Sequence, residues 1–95
     1  MDSNARIGDA LRRLRTAAGI SQEDFGVVSS RTYVSTVERG LKSPTLGKLE
    51  QISSVLGVHP LTLISLAYSQ TEGLNDVDDL LEHVRRELKE RLATV

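Results

Sequence analysis

The 95 residues contain no cysteine and no tryptophan. Without thiols, disulfide staples and thiolate metal sites are excluded, so any fold must be held by packing alone. One phenylalanine and two tyrosines are the only aromatic residues, which makes the expected core aliphatic. Long apolar runs are missing as well. The longest, residues 58–68, is interrupted by Pro60, Thr62 and Ser65 and is too short to span a bilayer. The N-terminus has no apolar stretch of the signal-peptide kind, so a cytoplasmic chain without a membrane partner is expected. The two histidines, His59 and His83, are far apart and have no thiol beside them, so no metal and no cofactor is expected. No nucleophile arrangement and no glycine-rich phosphate loop is present, which leaves catalysis without support.

A strong excess of positive charge is also lacking. The net charge is −1, which taken alone argues against a nucleic-acid partner. The distribution alters that reading. Residues 1–50 hold eight Lys/Arg against six Asp/Glu, net +2, and residues 51–95 hold four against seven, net −3. A short duplex held by few phosphate contacts needs no strongly basic domain, although its non-specific affinity is then weak.

What the chain does have is a series of helically periodic apolar segments, each with a cap or stop. Ile7, Leu11, Leu14 and Ala18 form one stripe, with Asn4 or Ser3 as cap and Gly19 as stop. Ser21 caps a second helix, with Asp24 completing a capping box, and Phe25 is a core residue. Ser43-Pro44 reads as N-cap and N1 of a fourth helix burying Leu46, Leu49, Ile52, Val55 and Leu56 up to a Gly57 stop. His59-Pro60 opens a fifth, carrying Leu61, Ile64 and Tyr68.

Between these lies the stretch on which the function turns, Arg31 to Pro44. Val34, Val37 and Leu41 recur at helical period, and Gly40 and Pro44 end the helix. Arg31, Thr32, Ser35, Thr36 and Arg39 occupy the opposite side, a face with no aliphatic residue and therefore one made to stay wet or to meet something polar. Valine and threonine favour strands, but the Glu38-Arg39-Gly40 ending and the lack of a partner strand favour a helix.

Gly19-Ile-Ser-Gln-Glu-Asp-Phe25, then Arg31-Thr-Tyr-Val-Ser and Glu38-Arg-Gly40, then Pro44 and Leu56-Gly-Val58, resemble the Xre or phage-repressor type of helix-turn-helix domain over roughly residues 5–66. The resemblance implies an all-α fold of five helices, with the Ser30–Arg39 helix laid in the major groove of double-stranded DNA by each half of a homodimer. It implies base reading by Arg31, Thr32, Ser35 and Thr36. Phosphates would be held by Ser21, Gln22, Tyr33, Arg39, Lys42 and Ser43, with packing against the start of the next helix as the alternative role of Tyr33. It also implies an ion pair between Arg15 and Glu38, and a close approach of the two motif helices at Gly26. The chain departs from the family pattern at one point. Between Phe25 and Glu38 it is about two residues shorter and lacks the usual turn glycine, which implies a tight turn or a second helix half a turn short.

The resemblance ends near residue 68. Residues 69–74 read as a linker, and residues 75–95 as a C-terminal amphipathic helix capped by Asn75. Acids crowd its first turn and bases its later turns, which suits the helix dipole, and Glu82–Arg86 is spaced as a stabilising pair. Val77, Leu81, Val84, Leu88 and Leu92 form its seam, either a dimerisation element or a cover for the helix-turn-helix domain of residues 1–68. The expected function is a dimeric, sequence-specific transcriptional regulator acting on a palindromic operator. The alternatives are an antitoxin that grips a toxin with the terminal helix, and a protein-interaction module of the same fold.

Overall fold

The computed structural model describes residues 2–69 and 74–93, the side chains of Leu74 and Asn75 excepted. All regular structure among the described residues is helical: α1 (Ser3–Ala17), a 3-10 helix (Gln22–Val27), α2 (Arg31–Glu38), α3 (Leu46–Leu56), α4 (Pro60–Tyr68) and α5 (Leu74–Leu92). The expected all-α fold of five helices and a terminal sixth is therefore present, with the second helix wound as a 3-10 helix. Of the expected linker, residues 70–73 lie outside the described residues. So does the Asn75 side chain, and α5 already includes Leu74.

Each helix starts and stops for a local reason. Asp2, rather than Ser3 or Asn4, caps α1, accepting the Ala5 N–H at 2.8 Å. Asp24 closes the capping box on Ser21, accepting its backbone N–H at 2.8 Å. The Ser30 hydroxyl accepts the Tyr33 N–H at 3.0 Å and starts α2. Gly40 ends it at φ 75°, with the Gly40 N–H on the Val37 carbonyl and the Leu41 N–H on the Thr36 carbonyl. This paired return of the chain requires a left-handed residue, which glycine adopts without a Cβ penalty.

That reversal takes Leu41 off the apolar stripe. Leu41 lies on the α2 stripe only if the helix continues, and with Gly40 left-handed it leaves the helical period and stays exposed. The fourth helix also starts later than expected. Thr45, not Ser43, accepts the Lys48 N–H at 3.1 Å, which leaves Pro44 in the extended loop before the cap. Leu46 then falls in the first turn, at the end of the stripe, and is exposed. His59 caps α4, its Nδ1 accepting the Leu61 N–H at 3.0 Å.

The core is Ala10, Leu11, Phe25, Val34, Val37, Leu49, Ile52, Leu56, Leu63 and Ala67, so every helix before α5 contributes. Ile7, Leu14 and Val55 pack against it part-buried, whereas Ala18 is exposed. In α4 the inward residues are Leu63 and Ala67, not Leu61 and Tyr68, which are exposed. This helix is apolar almost all round, so periodicity cannot select its inner face. Its packing partners α1, α3 and α5 decide.

The close approach assigned to Gly26 occurs elsewhere. Gly26 is exposed, and a Cβ there would meet nothing within 4 Å. Gly8 in α1 is the contact glycine: a Cβ there would lie 2.3 Å from the Val37 carbonyl oxygen and 2.7 Å from that of Glu38. The backbone of α1 thus sits directly against the last turn of α2.

Candidate nucleic-acid interface

Val34 and Val37, both fully buried, fix how α2 rolls on the core. The opposite face must then point outward. Arg31, Thr32 and Arg39 are exposed on it, and Ser35 and Thr36 are half-buried. The Thr36 hydroxyl donates to the Thr32 carbonyl at 2.7 Å, a local bond that restrains its rotation. Arg39 Nε reaches the Ser35 carbonyl at 3.4 Å.

The far end of α2 is locked by charge. Arg15 Nε donates to Glu38 Oε2 at 2.6 Å and Arg15 Nη2 to Oε1 at 3.0 Å, a two-pronged pair with side chains 18% and 5% exposed. Arg15 Nη1 also donates to the Ile20 carbonyl at 3.0 Å, and Gln22 Nε2 to Glu38 Oε1 at 3.1 Å. The hydrogen bond that the guanidinium donates to Glu38 holds its pKa above the usual value, against a partial burial that would lower it. Gln22, expected to face a phosphate, instead has its amide nitrogen on Glu38. α1, the 3-10 helix and α2 are in this way tied at one carboxylate.

Beside the N-terminal half of α2, Tyr33 is part-buried against the core. The Lys42 and Lys48 ammonium groups stand 5.4 and 5.2 Å from its ring centroid, within cation–π range. Burial pushes the Tyr33 phenol up from its usual value. Lys48 Nζ also donates to the Val28 carbonyl at 2.8 Å, joining the first turn of α3 to the turn that precedes α2. The packing role weighed for Tyr33 is therefore real in the structure. Ser21, Lys42 and Ser43 are exposed.

Two residues escaped the sequence reading. Lys48 becomes conspicuous only once Thr45 is the cap, because that places it in the first turn of α3. Glu23 carries no motif signal, yet its Oε1 stands 3.3 Å from Arg31 Nη1, with both side chains about two-thirds exposed. Where a tight turn or a short second helix was expected, the second helix is a 3-10 helix that ends at Val27, with three residues between it and α2. Among the described residues no group of His, Asp and Glu could hold a metal ion, and no helix is long and apolar enough to cross a membrane.

Three relatives share this arrangement in sequence or in fold. An uncharacterized helix-turn-helix-type transcriptional regulator, y4dJ of Sinorhizobium fredii, is 34% identical over 67 residues, 68% of this chain and 87% of the relative. The control protein C.BamHI of Bacillus amyloliquefaciens is 38% identical over 69 residues, 67% of this chain and 85% of the relative. The crystal structure of the restriction-modification controller protein C.AhdI from Aeromonas hydrophila superposes with a TM-score of 0.60 at 35% identity, covering 63% of this chain and 94% of the controller. The helix-turn-helix family model matches residues 11–63, from the middle of α1 into α4. The chain belongs to the helix-turn-helix family, of the Xre-like kind that its motifs resemble.

Proposed function

We propose that this protein is a transcriptional regulator that binds a palindromic DNA operator as a homodimer, a reading supported by relatives named as a transcriptional regulator and as control proteins. The observation that carries this reading is the outward face of α2. It is free of aliphatic residues and presents Arg31, Thr32, Ser35 and Thr36 on a short helix that Gly8, Val34, Val37 and the Arg15–Glu38 pair hold rigidly against the core. A pre-set helix suits the major groove, where base edges are read by donors and acceptors held in register.

Arg31 is the principal reader, because its planar fork matches guanine O6 and N7. Glu23 stands beside that guanidinium as an exposed partner that DNA would displace at little cost. Thr32, Ser35 and Thr36 read neighbouring positions. Arg39, Lys42, Ser43, Ser21 and the Tyr33 hydroxyl hold phosphates and set the register. Such a regulator acts in the cytoplasm and performs no catalysis.

The test is selection of duplexes from a random library, followed by salt-titrated binding to the selected operator and to scrambled DNA. Arg31→Ala should cost roughly 1–3 kcal/mol on the operator and relax the preference at one base pair per half-site. Lys42→Ala should weaken both duplexes about equally and lower the salt slope by about one per subunit. A uniform loss for Arg31→Ala would make it a phosphate holder and pass base reading to Thr32, Ser35 and Thr36. Failure to enrich any sequence would overturn the reading.

A further inference from the structure

The terminal helix is attached by its beginning only. Val77 and Leu80 are half-buried where α5 meets α4, whereas every residue from Leu81 to Leu92 is exposed. Leu81, Val84, Leu88 and Leu92 are 47%, 42%, 55% and 64% exposed, and Leu61 and Tyr68 of α4 extend this apolar strip. Two apolar clefts of about 330 and 300 Å³ run between α4 and α5, both lined by Leu61, Ser65 and Leu81. An uncovered apolar face of this length marks an interaction surface. Leu61 apart, it lies beyond residues 11–63, which the family model matches.

The identity of the occupant is written in the charges and the spacing. Asp76, Asp78, Asp79 and Glu82 make the first half of the helix acidic, and Arg85, Arg86, Lys89 and Arg91, against Glu87 and Glu90, make the second half basic. A second α5 laid parallel would set the acidic half against an acidic half, whereas one laid antiparallel sets residues 76–84, with four acids and no Lys or Arg, against residues 85–91, with four bases and two acids. The apolar seam has the same symmetry. Reversed about the midpoint between Val84 and Arg85, it places Leu81 opposite Leu88, Val77 opposite Leu92 and Val84 one position from its own copy. Self-complementarity of this kind is what a two-fold interface requires. An anionic membrane is a poor alternative, because residues 76–91 carry six acids against four bases.

We infer that α5 pairs antiparallel with α5 of a second copy, with Leu81, Val84, Leu88 and Leu92 as its buried seam and Leu61 of α4 at its margin. The inference deepens the homodimer reading and rests on it for the need of a partner. Its geometry stands on the helix alone.

The absence of native cysteine allows a direct test on the full chain. Leu81→Cys and Leu88→Cys variants are oxidised separately and as an equimolar mixture, and their masses are read under denaturing conditions. A disulfide dimer should form in the mixture and only traces in either variant alone. Leu88→Glu should halve the mass in sedimentation at micromolar concentration while its far-ultraviolet dichroism stays helical. Self-linking of Leu81→Cys without mixed linking would overturn the antiparallel arrangement. An unchanged mass for Leu88→Glu, a monomeric parent chain, or co-sedimentation with phosphatidylglycerol vesicles in place of dimerisation would overturn the interface. Failure of the operator reading shows differently: Arg31→Ala would leave DNA binding untouched while the mixed disulfide still forms.

Discussion

At the scale of single residues, Glu38 ties three helices together. One carboxylate accepts from Arg15 through two bonds and from Gln22 through a third, and it is nearly inaccessible to water. A buried ion pair adds little net stability against an apolar substitute, but removal of one partner leaves the other charge desolvated and unmatched. Glu38→Ala should therefore cost about 2–4 kcal/mol, the lower part reflecting that Arg15 keeps some solvent and its bond to the Ile20 carbonyl. Urea melts followed by dichroism at 222 nm check this, and a midpoint equal to that of the parent chain would show that the pair carries no weight. Glu38→Gln keeps the shape and one acceptor, so it should fall between the two. The same change should loosen α2 and reduce discrimination between operator and scrambled duplexes before it abolishes binding, because the pair positions the reading helix and touches no base.

At the scale of elements, the two glycines Gly8 and Gly26 separate packing from local propensity. A methyl group at Gly8 would collide with backbone carbonyl oxygens of Val37 and Glu38, which cannot move without shifting α2. Gly8→Ala should destabilise by at least about 2 kcal/mol, in the upper range of overpacking costs, and weaken operator binding through the displaced helix. Gly26→Ala meets open space and has no positive φ, so it should be neutral or stabilising by about 0.4–1 kcal/mol through a stiffer unfolded chain. Thermal melts of the two variants check the pair of expectations, and the reverse order would refute the close approach of α1 and α2.

These glycines also show which part of the fold was legible. Capping chemistry and glycine stops act over three or four residues, so Ser21–Asp24, Gly40, Gly57 and His59-Pro60 can be read directly. The Arg15–Glu38 pair, 23 positions apart, was accessible only through family resemblance. Which face of an evenly apolar helix turns inward depends on its neighbours, and that is why Leu63 and Ala67 were hidden behind Leu61 and Tyr68. A contact between a glycine and a distant backbone carries no local signal at all, and Gly8 could not have been found. The exposed Glu23–Arg31 contact is of the same kind.

At the scale of the whole molecule, the chain is elongated. Its extents are 46 × 28 × 23 Å and its radius of gyration is 14.5 Å, against about 12 Å for a compact chain of this length. All ten core residues lie between Ala10 and Ala67, so the helix-turn-helix body owns its core and α5 adds none to it. A chain ending at Gly73 should therefore still melt cooperatively, which would place the domain boundary where the composition changes. Its uncovered Leu61, Ile64 and Tyr68 would lower the midpoint modestly, since α5 shields them only in part. The larger effect should be on DNA. A dimer engages its second half-site at the high effective concentration created by the first, a gain of roughly 10²–10⁴-fold without any new contact. The truncated chain should lose about that factor on the full operator, keep the parent preference at each base pair, and bind an isolated half-site with the affinity of the intact chain. Titration of full and half operators at one salt concentration distinguishes the terms. Equal loss on both duplexes would mean that α5 shapes the reading surface itself, and retention of full affinity by a truncated dimer would move the interface to α4.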